Sequence, residues 1–328
     1  MNLLIVVHHR FDLWRVPAWF PERLAQDFPG IAILHRDSYN GPESDLRDSE
    51  VIFTLSINPE QFALCQKLHW IHTPTAAVHQ FLFPELVNSD VVLTNSTEVH
   101  GPVVAEHVIA LIFALAKKLP QASALQNKHE WGKEKIWSHG AHPKEIDGAT
   151  LGLVGLGSIG RRVARMASAL GMRVIAVREH VEKPKPEGVA QTFHSDQLDD
   201  VLRQADFVVL AAPLTAETTR LMNAKRLAMM KPDSYLINVG RGQQIEEPAL
   251  VEALQARRIA GAALDVFEQE PLPPNSPLWA LDNLLITPHT AGITEKLWTR
   301  HYDNFSDNLR RYIAHQPLQH VVDKHKGY

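Results

Sequence analysis

The sequence predicts an α/β protein made of two open parallel-sheet domains, and three observations carry that prediction. At 328 residues the chain is long for a single compact core. Short apolar runs alternate with helix-compatible segments along most of its length. Near the middle, residues 151–178 (LGLVGLGSIGRRVARMASALGMRVIAVR) read as strand, glycine-rich turn, helix and strand.

That central stretch organises the rest. Residues 151–156 form an apolar run of the length of a buried parallel strand. Gly155, Gly157 and Gly160 follow in G-x-G-x-x-G spacing, with Ser158 and Ile159 inside the turn. Val163, Met166, Ala167 and Leu170 then recur at helical intervals, Gly171 stops the helix, and residues 172–177 supply a second strand. The glycines divide three tasks: a tight turn, room for a pyrophosphate against bare backbone, and close helix–strand packing. The helix N-terminus adds unpaired N–H groups and partial positive charge. Alone, the glycine pattern is weak evidence. Set between a strand and a helix with a second strand behind, it is strong. The alternative is a glycine-rich turn in some other α/β unit.

Composition removes several function classes. Apolar residues make up 45% and charged residues 21%, ordinary values for a globular protein, and the net charge of −4 offers no dedicated nucleic-acid surface. Cys65 is the only cysteine, so no internal disulfide forms. The N-terminal MNLLIVVHH lacks a basic n-region and a cleavage site and reads as a first strand. The longest apolar run, 108–116, is too short to span a bilayer. These features predict a soluble, cytoplasmic protein. The histidines are scattered and no Cys/His cluster has ligand spacing, so no metal is expected.

In chain order, residues 3–7, 31–34, 51–55, 70–72 and 91–94 are predicted strands. Residues 21–28 and 59–68 are predicted helices, each opened by proline. The polar, turn-rich stretch 39–50 reads as a surface connection. After Gly101-Pro102, residues 103–119 are apolar on most of a helical circumference, which suits burial at a seam between domains or subunits. Residues 120–148, with exposed-looking Trp131 and Trp137, have no clear period and read as a functional excursion or an arm for a partner. Further strands are predicted at 207–211, 235–239, 261–266 and 284–287, with helices at 198–204 and 248–257 between them. From about Thr294 the tail holds one more helix and a polar end, and it is expected to cross back to the N-terminal domain.

Three polar residues stand at or just after strand ends in this second half. Arg241 lies in INVGRG, Glu270 in LDVFEQEP and His289 in TPHTAG. In a doubly wound sheet that placement brings all three to the rim that carries the phosphate loop. Their chemistry suits carbonyl/alcohol redox. An arginine fork grips a carboxylate, a histidine delivers or removes the alcohol proton, and a carboxylate beside the ring raises its pKa. Taken singly, each has a plain structural explanation: an exposed loop arginine, a solvated turn, a satisfied histidine. Their complementarity at one sheet edge is what argues for a site.

The chain also resembles the D-isomer-specific 2-hydroxyacid dehydrogenase family along nearly all its length. The matching runs, in order, are NSTEVHGPVVAEHVIAL, LGLVGLGSIGRRVA, APLTAETTRLMN, INVGRGQQIEEPALVEAL, GAALDVFEQEPL, ITPHTAG and NLRRYIAHQPLQHVVDKHKGY. The last is most similar to glyoxylate/hydroxypyruvate reductases. The resemblance implies a Rossmann-type dinucleotide-binding domain, residues 100–291 with a dimerisation helix and arm at 101–148, inserted into a flavodoxin-like substrate domain of residues 1–99 and 292–328. It implies that Arg241 orients a 2-oxoacid, that His289 is the acid/base and that Glu270 pairs with it. Asp265 is implied to face the nicotinamide carboxamide, Val239 and Gly240 to line the cofactor, and Ala211 and Pro213 to flank its adenosine side. Family enzymes are dimers, so a homodimer is expected, and the helix at 103–119 with the arm after it gains a partner surface.

Two departures from the family pattern stand out. The substrate loop, commonly S-A-G-V-D with backbone N–H groups for the substrate carboxylate, here reads Thr75-Ala76-Ala77-Val78-His79. An alanine in place of glycine keeps those donors only while φ stays negative, and His79 brings an imidazole, a cation when protonated. By the same resemblance Leu55 and Ser56 form the opposite wall. At the end of the second strand of the βαβ unit, where NAD-preferring members place an acid for the ribose hydroxyls, this chain has Arg178. A guanidinium suits a 2′-phosphate, so NADP is favoured over NAD, although Glu179 follows immediately. The resulting expectation is an NAD(P)H-dependent reductase of a small 2-oxoacid such as glyoxylate or hydroxypyruvate. Two rivals stay open: an NAD(H)-sensing regulator like the family's corepressors, and a phosphoglycerate dehydrogenase. Glu270 speaks against formate-dehydrogenase-type members, which lack it.

Overall fold

The computed structural model describes residues 1–9 and 11–327. They fall into two compact units, Met1–His100 together with the tail from Thr294, and Gly101–Ile293.

The first unit holds five parallel strands: β1 (Asn2–Val6), β2 (Ala32–Arg36), β3 (Val51–Thr54), β4 (Trp70–Thr73) and β5 (Val92–Asn95), in the order β2-β1-β3-β4-β5. Strand side chains alternate between faces. Leu3 and Ile5 therefore pack with Phe20, Leu24, Phe53 and Trp70, while Leu4 and Val6 pack with Ile52, Ile71 and Leu93. The tail belongs to this unit. Helix Leu297–Ile313 buries Trp298, Tyr302, Phe305 and Leu309 in the first of those clusters, and Phe305 meets Phe53 edge-on at 4.9 Å. Beyond the helix, Val321 bridges antiparallel to Thr94. The Lys324 ammonium donates to the carbonyls of Leu86, Ser89 and Val91 at 3.0, 2.6 and 3.0 Å. Tyr328, the last residue of the family-like terminal run, lies outside the described residues.

The second unit holds seven parallel strands: β6 (Thr150–Val154), β7 (Arg173–Val177), β8 (Val189–Phe193), β9 (Phe207–Leu210), β10 (Tyr235–Asn238), β11 (Gly261–Leu264) and β12 (Leu284–Ile286). Their order is β12-β11-β10-β9-β6-β7-β8. The chain winds outward from β6 through β7 and β8, then returns to β9 and winds the other way, so the switch point falls at the β6–β9 junction. Both sheets are the parallel α/β architecture that the sequence predicts. At the switch point Gly152 lets helix Leu198–Gln204 come close, since a Cβ there would stand 2.9 Å from Val201 Cγ1.

Several elements differ from their predicted form. Helix Thr97–Ala116 opens six residues before position 103, so Pro102 lies within it. Burial of Val104, Ala105, Val108, Leu111, Ile112 and Leu115 in the second unit's core outweighs the missing N–H. Among the described residues it is the one helix long and apolar enough to cross a membrane, and 56% of its most apolar window is buried within the fold. Two helices, Leu119–Asn127 and Lys133–Ser138, occupy much of the stretch 120–148, neither burying a residue. Without a buried face they show no hydrophobic period. The connection at 39–50 contains helix Glu43–Arg47, anchored by buried Leu46. Edge strand β8 was not foreseen, because only its end residues Val189 and Phe193 are buried and the three between them are exposed or half-exposed.

Candidate active site

The glycine turn leaves β6 at its carboxyl end. Gly155 has φ +100°, and a Cβ there would stand 2.8 Å from Ala212 N. A Cβ on Gly160 would collide with the Gly155 carbonyl, whereas Gly157 has nothing within 4 Å of that position. Tight turn, close packing and open floor thus fall on separate glycines, in front of the twelve-residue helix Ser158–Ala169. These residues fit a dinucleotide pyrophosphate. Ser158 is buried, its hydroxyl accepting from Arg162 Nη1 at 2.7 Å, and Ile159 packs on the core.

At the end of β7 the Arg178 guanidinium donates to the carbonyls of Val181 (3.3 Å), Lys183 and Pro184 (3.2 Å), and its Nε is buried without a partner. The neighbouring Glu179 is occupied elsewhere: it accepts from Ser195 Oγ at 2.8 Å and faces His194 at 3.5 Å. Ala211 and Pro213 follow β9, and Ala211 continues its pairing with a 2.9 Å bond to Val154 O.

Glu270 and His289 meet. The Glu270 Oε2 to His289 Nδ1 distance is 2.6 Å, and Glu270 Oε1 accepts from the Phe267 N–H at 3.0 Å. Both side chains are partly open to solvent, 35% and 53% exposed. The bond to Glu270 holds the His289 pKa above its ordinary value against the opposing effect of burial, with the Glu270 and Asp265 charges adding to it and Arg241 subtracting. Burial alone would raise the Glu270 pKa, but the bonds from His289 and Phe267, with the His289 and Arg241 charges, bring it below the usual carboxylate value. Burial lowers the Arg241 pKa, and Glu270 opposes that. Arg241 and Glu270 are therefore near enough for each charge to act on the other's pKa.

His289 sits in the left-handed region at φ +53°, a conformation that costs a residue with a side chain about 1–3 kcal/mol. Two residues hold it there, the His289 N–H being shared with the Thr287 carbonyl at 3.0 Å. The Asp265 carbonyl accepts from the His289 N–H at 2.9 Å, and the Asp265 carboxylate accepts from Thr287 Oγ1 (2.6 Å), Thr290 N (2.9 Å) and Ala291 N (3.0 Å). Asp265 is 1% exposed. Since the Thr287 proton goes to Asp265, the His107 Nε2–H donates to Thr287 at 3.2 Å. Burial pushes the His107 pKa down, opposed by Asp265.

Arg241 is seated by two buried amides, three residues before it and three after. Asn238 Nδ2 donates to the Arg241 carbonyl at 2.9 Å and Asn238 Oδ1 accepts from the Gly240 N–H at 3.0 Å. Gln244 Oε1 accepts from the Arg241 N–H at 3.1 Å. Val239 is buried behind the turn. Sequence reasoning passed over both amides, which no local pattern marks.

In the first unit, the loop Thr75–Val78 follows β4, and Leu55-Ser56 follows β3. The loop is pinned by Asn95 Nδ2 to Ala76 O (2.9 Å), Ser96 N to Thr75 O (3.0 Å) and Thr75 Oγ1 to Ala77 O (2.6 Å). Neither Ala76 nor Ala77 is among the described residues with positive φ, so alanine stands here without strain. His79 is exposed and opens the turn His79–Phe81. Two residues that the sequence did not single out hold the other wall: Gln80 Nε2 donates to Leu55 O at 2.9 Å, and the Tyr39 hydroxyl to Ser56 O at 2.9 Å.

Residues 109–291 match the model of the NAD-binding domain of D-isomer-specific 2-hydroxyacid dehydrogenases. The chain belongs to that family. It is therefore an NAD(P)-dependent oxidoreductase. The dehydrogenase is 35% identical to the glyoxylate reductase of Thermofilum pendens, over 85% of this chain and 83% of that one. It is 30% identical to the D-3-phosphoglycerate dehydrogenase of Methanocaldococcus jannaschii, over 85% of this chain but 52% of that one. Among solved structures it is similar to the NADPH-dependent glyoxylate/hydroxypyruvate reductase of Sinorhizobium meliloti, in complex with NADP and sulfate. The TM-score there is 0.80 and the identity 28%, covering 99% of both chains.

Proposed function

We propose that the dehydrogenase reduces a small 2-oxoacid, with glyoxylate and hydroxypyruvate as first substrates, to the D-2-hydroxyacid, and that NADPH is its preferred reductant. The 2.6 Å Glu270–His289 pair carries this reading. With Nδ1 committed to Glu270, the His289 Nε2 holds the transferable proton, and the raised pKa keeps the ring protonated further towards alkaline pH. When bound, the nicotinamide supplies the hydride to C2. Arg241 grips the substrate carboxylate and polarises the adjacent ketone. His289 gives its proton to the forming alkoxide, and Glu270 stays ionised to stabilise the imidazolium beforehand. The same reading assigns the backbone N–H groups of Ala76, Ala77 and Val78, with Leu55 and Ser56, to the substrate. It assigns Val239, Gly240, Ala211, Pro213 and Asp265 to the cofactor.

Two observations support NADPH. Arg178 stands where an acid would bind ribose hydroxyls, with acceptors that a 2′-phosphate can replace, and Glu179 is taken up by Ser195 and His194. Initial rates with glyoxylate, hydroxypyruvate, pyruvate and phenylpyruvate, each with NADPH and NADH, test both parts. Turnover with higher kcat/KM for NADPH is expected. A preference for NADH would overturn the role given to Arg178, and no turnover with any pair would overturn the substrate class.

The reading also includes a homodimer. Leu119, Trp131 and Trp137 are 53%, 94% and 60% exposed on the segment after helix Thr97–Ala116, more apolar surface than a solvated arm requires. Sedimentation equilibrium should give twice the 36.8 kDa chain mass. A monomer at micromolar concentration would contradict it.

A further inference from the structure

The Gln244 amide ties the Arg241 turn to the segment after β9. Gln244 is fully buried, an environment in which an unpaired amide is costly and a paired one fixes geometry. Its Oε1 accepts from the Arg241 N–H at 3.1 Å, and its Nε2 donates to Ala212 O at 3.2 Å and Pro213 O at 3.3 Å. Two bonds therefore join the turn after β10 to the segment after β9, and a third fixes the Arg241 N–H to the same side chain. Gly240 leaves the space for them: a Cβ there would collide with Gln244 Oε1 and stand 3.1 Å from Ala212 O. An aliphatic side chain of the same length would fill the volume but leave the Arg241 N–H and two carbonyls without these partners.

We propose that Gln244 is a positioning residue that sets where the Arg241 guanidinium stands relative to the bound dinucleotide, by locking the arginine's backbone to Ala212 and Pro213. The inference rests on the reading of Arg241 as the carboxylate-binding group. Arginine reaches its ligand at the end of a long side chain, so a small rotation of its backbone becomes a large displacement of the fork. Misplacement by about 1 Å in such a site costs on the order of a hundredfold.

The test is a double-mutant cycle on the holoenzyme with NADPH and glyoxylate. Gln244→Met, which removes all three bonds at similar length, should raise KM for glyoxylate by about ten- to a hundredfold. It should lower kcat as well, because Arg241 also polarises the ketone, while leaving the NADPH Kd within about threefold. In an Arg241→Ala background it should raise KM no further, because the group it positions is gone. Gln244→Glu supplies a rescue readout and a second variant should the methionine form not fold. Protonated, the carboxyl reproduces the amide's acceptor and one donor; ionised, it faces two carbonyls. Its KM relative to the parent enzyme at equal pH should therefore climb as pH rises. If Arg241→Ala raises KM while Gln244→Met stays within about twofold, or if the two effects multiply, Gln244 does not act through Arg241. A pH-independent KM ratio in the glutamate variant would overturn the proposal as well. If Arg241→Ala itself leaves KM unchanged, the reading of Arg241 falls and this inference falls with it.

Discussion

Replacing His289 with alanine is expected to lower kcat for 2-oxoacid reduction by about two to four orders of magnitude, the range typical of a lost general acid. The substitution removes the 2.6 Å partner of Glu270 Oε2, and it leaves water to protonate the alkoxide. The backbone should not relax much: alanine at φ +53° is strained as histidine is, and the Asp265 contacts that hold Thr290 and Ala291 do not involve the imidazole. The NADPH Kd and the melting temperature should accordingly stay close to those of the parent. Turnover equal to the parent's in this variant would remove His289 from the chemistry.

Arg241→Ala should cost about two to four orders of magnitude in kcat/KM for glyoxylate, since two charge-assisted bonds to a carboxylate, each worth about 1.5–3 kcal/mol, vanish together. Arg241→Lys should recover only part of the loss, because an ammonium keeps the charge but not the planar fork. The two amides around the turn hold its backbone at N–H and carbonyl, so the alanine variant keeps the turn's shape. Steady-state kinetics of both variants decide this. Equal kcat/KM in lysine and parent enzymes would reduce Arg241 to a diffuse positive charge.

Much of this was legible in the sequence, and the remainder was hidden for identifiable reasons. The βαβ unit was readable because its signal is local: an apolar run, three glycines at fixed spacing and a helical period. Glu270 and His289 were readable because both follow apolar strands in short segments. Helix Lys133–Ser138 and strand β8 were not, because neither carries the buried stripe on which periodicity depends. Pro102 argued for a helix start that tertiary burial overrode. The hidden part of the site consists of side chains bonded to distant backbone. Gln244 reaches Ala212, Gln80 reaches Leu55, and Asp265 holds the loop that carries His289. Such bonds leave no local pattern, since a buried amide and a solvated one are the same letter in a sequence. Asp265 shows the difference most clearly: the resemblance implied a cofactor contact, and the structure adds its grip on Thr287, Thr290 and Ala291.

The most direct test of the central claim, that Glu270 keeps His289 charged as the proton donor, is the pH profile of kcat/KM for glyoxylate reduction in parent and Glu270→Gln enzymes. Reduction needs protonated His289, so the profile is flat on the acid side and falls as pH rises through the histidine's pKa. The bond to Glu270 is the largest influence raising that pKa, and glutamine removes its charge. The alkaline limb of the variant should therefore lie at lower pH, with activity still present on the acid side. A limb at the same pH in both enzymes would contradict the pairing and the mechanism built on it.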